Sequence, residues 1–293
     1  MKITDLWKSG KKPTLSFELL PAKTPNEEKK FSKPIGRILD LSPDFVSITF
    51  GAGGATRGGS LELADRMKNK LGQEVLAYFA GFGLGPADIS TVLDEYQRIG
   101  IENILAVRGD TPRDLEDFQP HPDSFPHASD LLAHIRPKYS FCLGAAGYPE
   151  GHVEAESKDR DIEYLSQKIA KGAEFVVCNY FYDNRFFLDF RERCRDRGID
   201  VPMLPGIMPI YSIKMMNILS SLCGATIPAS IREGISDLPE GDKDALVEFG
   251  IEFATAQCRG LLKAGVPGLH FYTMNRAKSV SSILANLRGA GLL

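Results

Sequence analysis

A lone carboxylate interrupts the apolar run Thr14-Leu15-Ser16-Phe17-Glu18-Leu19-Leu20-Pro21, and no residue in this chain is better suited to chemistry. An ionised group at the end of a buried strand is unfavourable by several kcal/mol, so Glu18 is expected to hold a proton near neutral pH and to act as a general acid. The plainer alternative is an edge-strand glutamate facing water. A second constellation, Arg108-Gly109-Asp110, ends another apolar run, and Gly109 would let a ligand approach the backbone. As a bare surface ion pair its two charges would contribute under about 1 kcal/mol. His152, in the turn Tyr148-Pro149-Glu150-Gly151-His152, and the helical pair Asp161 and Lys168 are further polar candidates, although most such charges are simply solvated. The run Gly51-Ala52-Gly53-Gly54 lacks the features of a P-loop or a dinucleotide fingerprint and reads as a flexible loop. No H-E-x-x-H motif or short His/Cys spacing is present, so no metal site is expected.

These residues need a frame. Apolar, β-branched or aromatic runs recur at 14–20, 44–50, 74–80, 102–107, 140–146, 174–180, 201–207 and 268–273. Amphipathic segments between them stop at Gly72, Gly100, Gly172, Gly198, Gly224 and Gly265, where a helix end needs a left-handed residue. Pro86 suits a first helical turn, and Ser60, Ser157, Asn184 and Ser212 are candidate helix caps. Strands alternating with helices imply a parallel sheet, and eight such units in 293 residues predict an α/β fold, a single (β/α)8 TIM barrel over residues 1–293; a doubly wound sheet is the runner-up. Two stretches break the rhythm. Residues 111–127 read as a proline-rich loop over the mouth, and the gap from 208 to 267 holds two helical patterns, an extra helical segment before the last strand.

In such a barrel the C-terminal strand ends carry function. Glu18, Thr49, Arg108 to Asp110, Tyr148 to His152, Asn179, Pro205 to Ile207 and Tyr272 to Arg276 all fall there. The composition is 43% hydrophobic and 25% charged, with Lys plus Arg 35 against Asp plus Glu 38. A net charge of -3 supplies no field for nucleic acid or anionic lipid, so a small molecule is the expected partner. The absence of a signal-like N-terminus or a long apolar run points to a cytoplasmic protein without a membrane anchor. Five cysteines without a C-x-x-C pair read as core residues in a reducing compartment.

Five motifs in register, Ser16 to Pro21, Leu105 to Asp110, Tyr148 to Ala155, Pro205 to Pro209 and His270 to Arg276, resemble the methylenetetrahydrofolate reductase family from about residue 14 to 290. The resemblance implies a TIM barrel that binds FAD and reduces 5,10-methylenetetrahydrofolate to 5-methyltetrahydrofolate, with NADH or NADPH as donor. By position, Glu18 matches the acid that protonates N10, and Asp110 a carboxylate beside pterin and flavin. Arg108, Gly109, Ala128, Tyr148, His152, Ala155, Asp161 and Lys168 match flavin-binding positions, Thr49 a residue beside flavin and nicotinamide, and Arg276, with Tyr272 in the same motif, a folate contact.

Departures are equally specific. Tyr78 stands where the family has a cofactor-facing histidine, Asn179 and Met215 replace substrate-side glutamines, and Tyr164 and Gln167 replace an amide and a base near the FAD phosphates. They leave open a flavin-independent or reverse-running variant and a folate- or flavin-binding subunit relying on an electron-transfer partner; separately, the sequence is compatible with a homo-oligomer. No residue stands out to read a 2′-phosphate, which points to NADH.

Overall fold

The computed structural model describes residues 1–8, 10, 13–50, 57–111 and 118–293. Its strands are β1 (Thr14–Leu19), β2 (Phe45–Ile48), β3 (Val75–Ala80), β4 (Asn103–Val107), β5 (Cys142–Gly147), β6 (Phe175–Tyr180), β7 (Met203–Ile207) and β8 (Gly268–Tyr272). Each pairs in parallel with the next, and β8 returns to β1, so the sheet closes into a (β/α)8 barrel as the alternating runs predict. Closure follows from burial on both faces. In β1, Leu15, Phe17 and Leu19 pack outward into the layer beneath the helices, which leaves Thr14, Ser16 and Glu18 to the inside.

The helices that wrap the barrel are α2 (Pro25–Leu39), α3 (Arg57–Asp65, continued by a π-helical turn, Arg66–Lys70), α4 (Pro86–Arg98), α5 (Ala128–Ile135), α6 (Lys158–Ala170), α7 (Asn184–Asp196), α8 (Ile213–Cys223), α9 (Ala229–Ser236), α10 (Lys243–Lys263) and α11 (Ala277–Gly289). A short α1 (Thr4–Lys8) precedes them. All six glycine stops have positive φ, from 65° to 111°. Ser157 and Ser212 cap α6 and α8 by accepting from the amides of Arg160 and Met215.

Other local expectations need correction. Ser60 lies inside α3 and donates to the Thr49 carbonyl at 2.8 Å, and Asp183, not Asn184, caps α7. Asn184 instead donates to the Gln257 carbonyl. The 208–267 segment holds three helices rather than two, because eight-residue α9 between Pro228 and Pro239 is too short for a clear period. The sequence reading also passed over α1, which plugs the barrel floor. Ile3 is fully buried and donates its amide to Asn103 Oδ1 at 2.8 Å, and the Trp7 ring lies 5.6 Å from Phe175. With Phe45, Leu76, Leu105, Cys142, Val177 and Leu204 they form an apolar base. The cysteines are all free.

Candidate functional site

Above that base the interior turns polar in two layers. Ser16, Ser47 and His270 form the lower one: Ser16 Oγ is 2.9 Å from His270 Nδ1, and Ser47 Oγ is 3.5 Å from Nε2. Burial pulls the imidazole pKa down to about 3, so His270 is neutral at physiological pH. Two residues further along the same strands, Glu18 sits beside Tyr272 in register, and Tyr78 comes in from β3. Glu18 is 7% exposed, and desolvation raises its pKa from 4.5 to about 8 against the opposing hydrogen bond from Tyr78. At neutral pH it is therefore mostly protonated, which disposes of the solvated edge-strand alternative. The Tyr78 hydroxyl meets Glu18, Ser47 and Tyr272 and lies 3.5 Å from His270 Nε2. Tyr272 donates to the Cys178 carbonyl at 3.0 Å across a gap open because residue 206 is glycine; a Cβ there would sit 2.6 Å from the Tyr272 ring. Asn179, half-buried at the end of β6, has its Oδ1 engaged by the Tyr180 amide.

A cleft of about 390 Å³ opens beside this mouth, between the ends of β4 and β5 and the face of α6. Its walls include Arg108, Ala128, Tyr148, His152, Ala155, Asp161 and Lys168, so seven of the eight positions matched to flavin binding surround one space. The eighth, Gly109, turns the chain beside it with φ +87°, where a Cβ would lie 2.7 Å from that of Ala80. Asp161 and Lys168 are not solvated surface charges. Asp161 is 6% exposed and its carboxyl is raised by burial, while the Lys168 ammonium is lowered by burial and donates to the Ala146 carbonyl at 2.7 Å. The other two Lys168 N–H bonds have no hydrogen-bond partner among the described residues. The ammonium lies 5.8 Å from the Tyr148 ring centroid, and Tyr148 makes an edge contact with His152 at 4.6 Å. Arg108 pairs with Glu154 at 2.5 Å rather than with Asp110, a partner 46 residues away.

The remaining candidates stand apart from the cleft. Thr49 is half-buried at the end of β2, and its amide donates to the Leu19 carbonyl at 3.3 Å. Asp110 is exposed and makes no hydrogen bond among the described residues. Met215 lies in the first turn of α8, and Arg276 is exposed on the rim, 5.1 Å from the Tyr211 ring. The Gly51 to Gly54 run lies outside the described residues. His270, Ser16 and Ser47 were absent from the sequence candidates; the signal was their two-residue offset from Tyr272, Glu18 and Thr49. Among the described residues no group of three His, Cys, Asp or Glu side chains could hold a metal ion, and no helix is long and apolar enough to cross a membrane.

A closed parallel barrel with a buried acid at its C-terminal mouth and a ligand-sized cleft of mixed charge beside it defines the class: a TIM barrel built around a small-molecule site. Residues 2–288 match the family Methylenetetrahydrofolate reductase, and the chain belongs to it. Methylenetetrahydrofolate reductase (NADH) 1 of Arabidopsis thaliana is 36% identical over 98% of this chain and 51% of its own length. Methylenetetrahydrofolate reductase 2 of Saccharomyces cerevisiae is 36% identical over 98% of this chain and 50% of its own. The 5,10-methylenetetrahydrofolate reductase of Escherichia coli is 31% identical over 93% and 90%. The chain thus spans about half the length of its plant and yeast relatives. An uncharacterised protein from Clostridium thermocellum, described as binding two copies of 5-methyl-5,6,7,8-tetrahydrofolic acid, superposes with a TM-score of 0.67 at 17% identity, covering 98% of this chain and 97% of its own. That likeness establishes shared architecture.

Proposed function

We propose that this chain interconverts 5,10-methylenetetrahydrofolate and 5-methyltetrahydrofolate, with hydride from NADH passing through FAD and Glu18 as the general acid. The observation that carries the reading is a carboxyl kept protonated by burial at the barrel mouth, because opening the methylene bridge requires a proton at N10. Glu18 delivers that proton, the bond from the bridging carbon to N10 breaks, and the resulting N5 iminium takes up hydride to become a methyl group. Water at the mouth then returns a proton to Glu18. Tyr78 positions the carboxyl, and neutral His270 beneath it adds no charge that would pull the proton away.

The cleft residues fit a flavin dinucleotide. A buried ammonium with two free N–H bonds, Lys168, supplies positive charge for a diphosphate, the Arg108 guanidinium would add to it by exchanging Glu154 for the phosphate, and Tyr148 and His152 offer ring faces and edges. When bound, FAD would supply a hydride carrier between the nicotinamide and the folate. The names of the plant relatives support NADH as donor. The test is an absorbance spectrum of the purified protein before and after anaerobic addition of NADH, followed by addition of methylenetetrahydrofolate. A flavin band that bleaches with NADH and returns with folate is expected; no flavin band and no gain of activity on adding FAD defeats the flavin clause.

One observation favours a second route. Tyr78 stands where a cofactor-facing histidine is expected, yet its hydroxyl is committed to Glu18 and Tyr272. Direct hydride transfer from nicotinamide to folate would give intersecting initial-velocity lines, whereas transfer through a reduced enzyme gives parallel ones.

A further inference from the structure

His270 lies one layer below the acid with no surface exposed, and both of its ring nitrogens face hydroxyls. With its pKa pulled down to about 3 by burial, the ring carries a single N–H proton at neutral pH, so one nitrogen donates and the other accepts. The serine beside it decides which. Ser16 Oγ donates to the Leu269 carbonyl at 3.3 Å, so its hydrogen is committed and its oxygen accepts from Nδ1–H at 2.9 Å. The ring proton is thereby placed on Nδ1, and Nε2 is left as a bare acceptor. Two hydroxyls reach that lone pair, Ser47 and Tyr78, each at 3.5 Å, and it serves one of them at a time.

Tyr78 has one hydrogen and two strong claims on it, from Nε2 below and from the Glu18 carboxyl beside it. Tyr272, its other neighbour, gives its own hydrogen to the Cys178 carbonyl and offers only a neutral oxygen. When Glu18 is protonated, its O–H donates to the Tyr78 oxygen, and Tyr78 donates down to Nε2. When Glu18 is ionised, Tyr78 turns its hydrogen to the carboxylate, the stronger acceptor, and Ser47 takes the lone pair left behind. Nε2 has a donor in both states. The other titratable groups facing this stack are Tyr272 of β8, the Cys178 thiol of β6 and Tyr148 beyond β5, each held neutral by burial. We propose that neutral His270 is a positioning residue for the acid: by accepting the Tyr78 hydroxyl at Nε2 it keeps that hydrogen from the carboxyl and favours the protonated form of Glu18. The proposal rests on the reading of Glu18 as the general acid.

Ser16→Ala, which alters neither Glu18 nor Tyr78, is the test. Without the Ser16 oxygen Nδ1–H has no acceptor, so the ring proton moves to Nε2, which then cannot take the Tyr78 hydrogen and releases it to Glu18. Nitrogen-15 NMR of imidazole-labelled protein is expected to find the proton on Nδ1 in wild type, a measurement that needs no variant to fold, and on Nε2 in Ser16→Ala. Infrared titration without substrate follows the protonated-carboxyl band that Glu18→Gln abolishes. Its midpoint is expected to fall by about one pH unit in Ser16→Ala, the size of one hydrogen bond gained by the carboxylate. His270→Leu, which removes the acceptor altogether, should lower it as far. In a Tyr78→Phe background Ser16→Ala should leave the midpoint where it is. A wild-type ring proton on Nε2, a midpoint that either variant leaves unchanged or raises, or a shift that persists without the Tyr78 hydroxyl overturns the proposal and leaves the acid in place. Absence of the Glu18 band at neutral pH removes the acid and the proposal with it. The expected shift in a protein that fails to turn over folate upholds the proposal and overturns the reading of function alone.

Discussion

The two ends of the barrel interior are built by the same strands and differ by two to four residues of register. At the floor, Phe45, Leu76, Leu105, Phe175 and Leu204 interlock under Ile3 and Trp7, each large side chain contributing roughly 1.5–3 kcal/mol by burial. At the mouth the same inward positions carry buried Glu18 and half-buried Tyr78, Asn179 and Tyr272, groups that must find hydrogen-bond partners. The difference separates two roles that sequence patterning alone merges. Inward residues at the floor hold the fold, and inward residues at the mouth accept a strained proton balance for the sake of reactivity.

The sharpest way to break that contrast is Glu18→Gln. Turnover is expected to fall by about 10²- to 10⁴-fold, the range of a lost general acid, while a thermal melt at neutral pH lies at or above that of wild type, since a glutamine buries no titrating carboxyl. A comparable loss of stability would make Glu18 a packing residue instead. The floor should answer in reverse. Phe175→Ala leaves a hole beside Trp7 and should lower unfolding free energy by about 3–5 kcal/mol in a denaturant titration, with the KM of the remaining folded protein unchanged.

The pH dependence is subtler. The folded pKa of Glu18, about 8, exceeds its ordinary 4.5, so native protein holds a proton that unfolded chain releases between those values. That contribution to stability is fully present below pH 4.5 and is lost as pH rises through about 8. Calorimetry across this window should show the melting temperature falling with pH in wild type more than in Glu18→Gln. The alkaline limb of kcat/KM should lie near the same pKa. Tyr78→Phe removes the hydrogen bond that lowers it, and so should move that limb to higher pH; a limb that stays put would show that Tyr78 does not tune the acid.

Much of the fold was legible because a parallel barrel repeats one local instruction eight times. β-Branched runs and left-handed glycine stops mark strands and helix ends within a residue or two. What escaped had weak or distant signals. Five-residue α1 is too short for periodicity and owes its place to Ile3 and Trp7 reaching residues about a hundred or more positions away. At the site, Glu18 was legible because a carboxylate in an apolar run has few explanations, and the Arg108 and Tyr148 motifs because glycine breaks set them apart. The pairing of Arg108 with Glu154 and the turn of Tyr78 toward Glu18 were not, since both depend on strand register rather than on neighbours in the chain.

The stitch between Asn275 and Leu20 has one more consequence. It joins points 255 residues apart, across the seam where the final strand meets the opening one. Burial is what raises the Glu18 carboxyl, and β8 forms one wall of that burial, so the acid depends on the seam being closed. A nascent chain halted before β8 therefore carries every catalytic candidate up to Met215 and still has no acid to offer.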